Sequence, residues 1–366
     1  LYKYNQITEL KIPSTVTRIG KNAFSKCISL EEIEILSKEI KKIKRFCFSK
    51  CSSLKKFSVP ESVEEIQGNS FCECSSLEEI NIPTTVKYIN NGAFSGCKSL
   101  KSILIPPLVT SINEAVFVGC FSLEEIMIPS SIKIIESAAF NTCTSLKKIN
   151  FENESTLETI RDKAFGVCIS LEEITIPHSV KTIDEYCFNG CLNLKRITIT
   201  SLKNVSESVF SGCISLEQFI IPYPTSFIER ESFYNCIKLN KIKIPKSVTT
   251  IGYSSFSLCS SLNSLTIPDS VTSIGSYAFN KCTSLSNITI PSSVNTIGQY
   301  AFRGCINLKT IEIDSSSIEK IEDSIFEGCS LLKEITIPRS VKEIGKCSFQ
   351  GCSSLEKVSF CLPSIL

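Results

Sequence analysis

One short segment, Phe-x-x-Cys-x-x-Leu, recurs about every 23 residues along the whole chain and constrains the fold more than any other feature. Its phenylalanines are Phe24, Phe48, Phe71, Phe94, Phe117, Phe140, Phe165, Phe188, Phe210, Phe233, Phe256, Phe279, Phe302, Phe326 and Phe349. A fixed period of this length indicates a solenoid, because a lone unit cannot bury its apolar side chains and stacked neighbours share one core. The repeat predicts about sixteen rungs of 23 residues in a single domain over residues 1–366, with a partial first repeat at 1–20.

Each unit predicts one short strand and one tight turn. Residues 77–83 show the pattern Leu-x-x-Ile-x-Ile-Pro, whose alternation is typical of a strand with one buried face. The proline ends the strand because it lacks an N–H for the ladder. Apolar residues at spacing three, as in Phe-x-x-Cys-x-x-Leu, suit one helical or 3₁₀ turn. We therefore expect an α/β-type solenoid with a parallel, concave β-sheet and few true helices on the convex side.

The full unit, Ile-Pro-x-Ser-Val-x-x-Ile-Gly-x-x-Ala-Phe-x-x-Cys-x-Ser-Leu, resembles the BspA-like class of leucine-rich repeat proteins along essentially the whole chain. The resemblance implies a leucine-rich-repeat superhelix. Where the general repeat has a buried Asn or Cys after the strand, this chain has Ser or Thr, which predicts a ladder of hydroxyl hydrogen bonds. These residues are Thr15, Ser62, Thr85, Ser131, Ser179, Ser247, Ser270, Ser293 and Ser340.

Fifteen of the twenty cysteines occupy one register position, three residues after each marker phenylalanine. Disulfides between neighbouring rungs are disfavoured because identical positions point the same way, and a zinc site needs ligand pairs that converge on one point. A column of buried thiols that pack as small apolar groups is the favoured interpretation. On that view a serine at Cys236 would bury a hydroxyl without a sure partner. Three cysteines lie out of register and stay open as bridge or reactive-thiol candidates: Cys72, Cys347 and Cys361.

The composition argues against catalysis, and we expect no enzyme activity, cofactor or metal. The chain has one His, and five Asp against 32 Glu, whereas acid–base and metal chemistry depend on His and Asp. The net charge of +2 gives no general attraction to nucleic acid. The chain contains no stretch of about 18 apolar residues, so the sequence predicts no membrane insertion within this segment. Residues 360–363 begin like another rung and then stop, so either a cap follows or the array is truncated there.

The outward positions of the strands hold the candidate binding residues. Charge alternates between rungs just after each strand leucine, and Lys147 and Lys148 lie between rungs that carry glutamate pairs. This row is either a register-locking, solubilising ladder or a charged binding strip. The alternation fades after Glu217. Apolar or aromatic side chains take outward positions at Leu104, Met127, Ile220 and Tyr223, and we name them with Lys147 and Lys148 as candidate protein-binding residues.

Two functional hypotheses remain open at this point. The resemblance implies a surface or secreted, adhesin-like recognition protein that binds a protein ligand, such as an extracellular matrix or host-cell protein, through the concave face. The alternative is a cytoplasmic protein-interaction scaffold that uses the same face, which the abundance of in-register cysteines allows.

Overall fold

A computed structural model describes residues 6–314 and 317–360. The chain divides by its internal contacts into two compact units, residues 1–191 and 192–366, and each unit is a stack of similar rungs. The expectation of a single continuous domain over residues 1–366 stays a prediction. Cys361 and the residues after it lie outside the described part, so the predictions made on that end stay predictions as well.

The described strands are short, and all pairings between them are parallel. The first unit contains β1 (Glu9–Ile12), β2 (Glu32–Ile35), β3 (Lys42–Ile43), β4 (Lys56–Ser58), β5 (Glu65–Ile66), β6 (Glu79–Asn81), β7 (Tyr88–Ile89), β8 (Ser111–Ile112), β9 (Glu125–Ile128), β10 (Ile134–Ile135), β11 (Lys148–Phe151), β12 (Thr159–Ile160), β13 (Glu173–Thr175) and β14 (Thr182–Ile183). The second unit contains β15 (Arg196–Thr198), β16 (Asn204–Val205), β17 (Gln218–Ile220), β18 (Phe227–Ile228), β19 (Lys241–Lys243), β20 (Thr250–Ile251), β21 (Ser273–Ile274), β22 (Asn287–Ile290), β23 (Thr296–Ile297), β24 (Thr310–Ile313), β25 (Lys320–Ile321), β26 (Glu334–Ile337), β27 (Glu343–Ile344) and β28 (Lys357–Phe360).

Most rungs contribute two strands to two separate parallel rows. The predicted Leu-x-x-Ile-x-Ile segments form the longer row, in which Lys148 pairs with Glu125 and Asn150 with Met127. The Ser-Val-x-x-Ile segments form a second row of two-residue strands, such as β8, β10, β12 and β14 in one sheet, which the sequence analysis did not predict. The fold is a parallel-strand β-solenoid of about 15 turns, so the expectation of about sixteen rungs is not confirmed.

The third side of each rung is a turn instead of a helix, and the described residues contain no helix at all. In the turn around Phe71, the N–H groups of Cys72 and Cys74 donate to carbonyls three residues earlier, at 3.2 and 3.1 Å. The N–H groups of Phe71 and Glu73 donate to the next rung instead, at 2.9 and 2.7 Å. Asn69 and Glu73 adopt positive φ values of 57° and 59°. A helix cannot propagate through such residues, so the predicted tight turn is present and the α/β label is not confirmed.

The core is a column of stacked phenylalanine rings enclosed by the strand isoleucines and leucines. Neighbouring rings such as Phe48, Phe71 and Phe94 lie 5.4 and 5.6 Å apart between centroids and are nearly parallel. Ring pairs at this spacing contribute about 0.5–1.5 kcal/mol each beyond their buried area. The marker phenylalanine of the repeat is therefore the residue that fixes the stacking of one rung on the next.

The predicted hydroxyl ladder forms at five of its nine predicted positions. The hydroxyls that donate to a carbonyl of the preceding rung at 2.7 or 2.8 Å are those of Ser62, Thr85, Ser131, Ser270 and Ser293. Three buried hydroxyls have no partner in the described part of the chain: Ser179, Ser247 and Ser340. Each stands one rung after a segment whose sequence departs from the Pro-x-Ser-Val pattern. Thr15 is exposed.

Candidate functional site

The exposed side chains of the longer strand row form the surface that we call the strand face. In β9 and β22 the burial alternates strictly, with the isoleucines buried and the residues between them exposed. Side chains on one face of a strand recur every two residues, about 6.6–6.8 Å apart. Because the ladder hydrogen bonds fix the backbone, the strand face presents its side chains at set positions.

Leu104 and Met127 occupy the same register position on consecutive rungs of the first unit. Their exposed fractions are 79% and 44%. The backbone N–H of Glu124 donates to the carbonyl of Lys101 at 3.3 Å, which shows that the two rungs are stacked directly. On the other side Met127 pairs with Asn150. The structure therefore places the two apolar side chains on one exposed surface with charged and polar neighbours.

Lys147 and Lys148 lie on the same strand face and pair with the preceding rung as the charge alternation predicted. The Lys147 ammonium lies 3.0 Å from a carboxylate oxygen of Glu124, and Lys148 is in register with Glu125. The four side chains line an open depression of about 390 Å³, together with Lys101. Other pairs of the same row are Lys55–Glu31, Lys56–Glu79 and Lys101–Glu78, at 3.5, 2.9 and 2.8 Å. The register-locking ladder is thus present, and a binding role for the lysines stays a prediction.

Ile220 and Tyr223 lie in the second unit and are strongly exposed, at 69% and 75%. Ile220 ends β17 and is in register with Lys243 of β19. Tyr223 follows Pro222 in the turn after that strand. These two candidates therefore lie on an exposed part of the second unit, with a lysine-bearing rung beside Ile220.

A second ladder of ion pairs, on the row of two-residue strands, was missed by the sequence analysis. Its exposed pairs include Lys87–Glu64, Lys181–Glu158 and Lys342–Glu319, at 2.9, 3.1 and 2.8 Å. The hydrogen bond and charge of Lys87 lower the pKa of Glu64. The available signal was a lysine directly after the valine that recurs in the units of this chain, and it could be interpreted only once the second strand row was known.

A column of aromatic rings on the turn side of the second unit was also missed. The rings of Tyr253, Tyr277 and Tyr300 follow one another at centroid distances of 5.6 and 4.6 Å. The guanidinium groups of Arg230 and Arg303 lie over Tyr253 and Tyr300, 5.0 and 5.8 Å from the ring centroids. The ring faces therefore contact one another or an arginine. Because these contacts are intramolecular, we interpret the column as a structural element.

The in-register cysteines are buried thiols that donate hydrogen bonds along the stack. Cys143 donates to the carbonyl of Phe117 at 3.2 Å, and Cys236 to that of Phe210 at the same distance. The cysteines in the described part of the chain are all free. Burial raises the pKa of the Cys143 thiol to about 12, so it stays protonated and is a poor nucleophile at neutral pH. The packed-thiol prediction is confirmed, and the carbonyl of Phe210 is a candidate acceptor for a hydroxyl at Cys236, which the sequence analysis left without a sure partner.

The described residues hold no group of three or more His, Cys, Asp or Glu side chains that could bind a metal ion. None of them forms an apolar helix of membrane-spanning length. The out-of-register Cys72 is half-buried, and Cys347 is exposed. What the structure offers is a set of exposed polar, charged and apolar side chains on a rigid sheet.

Comparison with known proteins agrees with this architecture. The model of the BspA type leucine rich repeat region matches residues 1–121, 64–156, 110–239, 153–263 and 249–364. A leucine-rich repeat protein from Bacteroides ovatus is 30% identical over 98% of this chain and 85% of its own, with a TM-score of 0.80. A leucine rich cell surface protein from Faecalibacterium prausnitzii is 26% identical over 98% and 89%, with a TM-score of 0.47.

The pneumococcal vaccine antigen PcpA is similar in fold, with 20% identity over 100% of this chain and 91% of its own and a TM-score of 0.51. No curated protein matches the sequence. The family match extends over nearly the whole chain. The protein belongs to the BspA-type leucine-rich repeat family.

Proposed function

We propose that this protein is a non-enzymatic recognition solenoid that binds a protein partner through its strand face. The observation that carries the proposal is a strongly exposed apolar side chain on the strand face of each unit, Leu104 in the first and Ile220 in the second, among mostly polar and charged neighbours. Apolar anchors within a polar surround are the composition that protein-interface hot spots use. Since the ladders fix the backbone, little ordering cost opposes binding.

We place the protein at the cell surface or outside the cell, as an adhesin-like protein for matrix or host-cell proteins. Membership of the BspA-type family supports this location, because the resemblance implies surface or secreted members that take part in adhesion. The alternative, an intracellular interaction scaffold, is favoured by one observation. The described cysteines are all free thiols, a state that reducing compartments maintain.

Antibody labelling of the native protein on intact and permeabilised cells separates the two locations. We expect intact cells to be labelled, since a surface protein exposes its epitopes without permeabilisation. Labelling that requires permeabilisation would contradict the adhesin-like role and favour the scaffold. An antibody against a cytosolic protein of the same cells serves as the control for membrane integrity.

A protein array of matrix and host-cell proteins tests recognition by the strand face. We expect the double variant Leu104→Ser and Met127→Ser to lose at least about tenfold in affinity for the captured ligand, as for a hot spot. The matched control is Tyr88→Ser, which removes an exposed apolar side chain from the second strand row. Equal loss in both variants, or none in either, would contradict recognition through this part of the strand face.

A further inference from the structure

One rung of the second unit carries three exposed lysines that, unlike several lysines of the first unit's strand face, form no ion pair. Lys56 and Lys101 form ion pairs with glutamates of a neighbouring rung, at 2.9 and 2.8 Å. Lys241, Lys243 and Lys246 are exposed, and within the described part of the chain none of them forms an ion pair. Their charge is therefore not compensated by the ladder that neutralises other rungs.

The register explains why two of these lysines have no partner. Lys241 and Lys243 lie beside Gln218 and Ile220 of the preceding rung, an amide and an alkyl group. Neither side chain supplies a negative charge, although a glutamate occupies the corresponding neighbouring position for Lys56 and Lys148. The ammonium groups are therefore free to pair with an external anion, next to the exposed side chain of Ile220.

The positions after the strand extend the same surface. Tyr223 and Lys246 each follow the proline that ends the strand in their rungs, so they are neighbours in register. The next rung offers two hydroxyls, Ser264 and Thr266, opposite the strand lysines, and Asp269 opposite Lys246. Register brings two acidic residues near the patch: Asp269, opposite Lys246, and Glu217, whose carbonyl accepts the N–H of Lys241 at 3.4 Å. Neither carboxylate forms an ion pair with these lysines in the described structure. The surface is positive and has an apolar edge.

We propose that this surface, the lysine patch of Ile220, Tyr223, Lys241, Lys243 and Lys246, binds an extended acidic segment of a partner protein. The inference rests on the proposed function and names the chemistry of the ligand for this part of the strand face. Lys241 and Lys243 provide the charge, and the segment supplies carboxylates on one side and an apolar side chain to contact Ile220.

The geometry fits a peptide strand. Lys241 and Lys243 project from the same face of β19, two residues apart, and alternate side chains of an extended peptide have the same spacing of about 6.6–6.8 Å. Carboxylates at alternate positions can therefore reach both lysines in one register. A single-stranded nucleic acid fits less well, because its binding sites use successive aromatic platforms and the patch presents one ring, that of Tyr223.

Fluorescence anisotropy with the full chain and a labelled peptide that alternates glutamate with valine tests the proposal. The double variant Lys241→Ser and Lys243→Thr installs the residues that the next rung carries, so it changes charge with little risk to folding. The matched control, Lys56→Ser and Lys101→Thr, removes two ion-paired lysines with the same change in net charge. We expect the Kd to rise about tenfold for the first variant and to stay within about twofold for the control.

Further arms separate the sources of affinity. Ile220→Ser should weaken the glutamate–valine probe about threefold and leave a polyglutamate probe unaffected, and added salt should weaken both probes. Absence of binding to the unaltered chain, an equal Kd in the lysine double variant, or tighter binding of a single-stranded oligonucleotide would each overturn the proposal. If the glutamate–valine peptide fails to bind but the Leu104 and Met127 variant still loses its array ligands, the proposed function holds and only this inference fails.

Discussion

Substitution of one buried thiol tests whether the column of cysteines acts by packing alone or also by hydrogen bonding. Cys236 is fully buried, and its Sγ donates to the carbonyl of Phe210 at 3.2 Å. In Cys236→Ala, loss of a group about the size of a methylene, the small cavity and the weak hydrogen bond together cost about 2 kcal/mol of unfolding free energy. The carbonyl itself keeps a second donor, the N–H of Cys213, so it is not left unpaired.

Serine at the same position keeps a donor for that carbonyl and loses mainly apolar transfer energy. We therefore expect Cys236→Ser to cost about 1 kcal/mol, less than the alanine variant. Urea unfolding followed by circular dichroism under reducing conditions measures both, with Cys347→Ser at an exposed position as the control, expected within about 0.5 kcal/mol of the unaltered protein. Equal losses for serine and alanine, or a larger loss for serine, would refute the hydrogen-bond argument.

Three further predictions concern charges and backbone packing. Reversal of Lys147 and Lys148 to glutamate should lower the unfolding free energy by up to about 1 kcal/mol, less at high salt, and loss of a ligand without loss of stability would make them binding residues. Because Lys87 lowers the pKa of Glu64, stability should fall as pH drops below about 4.5, and a urea titration of Glu64→Gln should lack that part of the pH dependence. Gly275→Ala should cost about 1–3 kcal/mol in thermal unfolding, since its Cβ would lie 2.6 Å from backbone atoms of the preceding rung, whereas Gly20→Ala, with nothing within 4 Å, should be neutral.

The repeat made much of the architecture predictable because each rung states the same pattern. The spacing of Phe48 and Phe71 predicted that neighbouring rungs stack, and the two rings form a stacked pair with centroids 5.4 Å apart. Alternation in residues such as 125–128 predicted the longer strand row, which β9 confirms. Because the pattern recurs in so many rungs, departures in single rungs do not obscure it. The sequence alone therefore places the buried side chains of nearly every rung.

The parts that were missed depend on contacts that run between rungs. The second strand row consists of two-residue strands such as Ile134–Ile135, too short to show an alternating pattern. The absence of helices follows from positive φ at positions such as Asn69, where the residue type alone does not require it. The acceptor of most in-register thiols is a backbone carbonyl of the preceding rung, as for Cys143 and Cys236. Because every residue has a backbone carbonyl, the sequence does not reveal which one accepts.

The same limit applies to the candidate binding surface, and it shows where function can be sought in a repetitive fold. From the sequence, Lys147 and Lys243 are both outward-facing strand-row lysines next to glutamate-rich or polar rungs. The structure separates them, because Lys147 contacts Glu124 at 3.0 Å whereas Lys243 is in register with the alkyl side chain of Ile220. A ladder whose charges are paired with one another stabilises the stack and offers little uncompensated charge to a ligand. The strands β17 and β19 show such a lack of compensation, and this is why we propose a ligand site beside them.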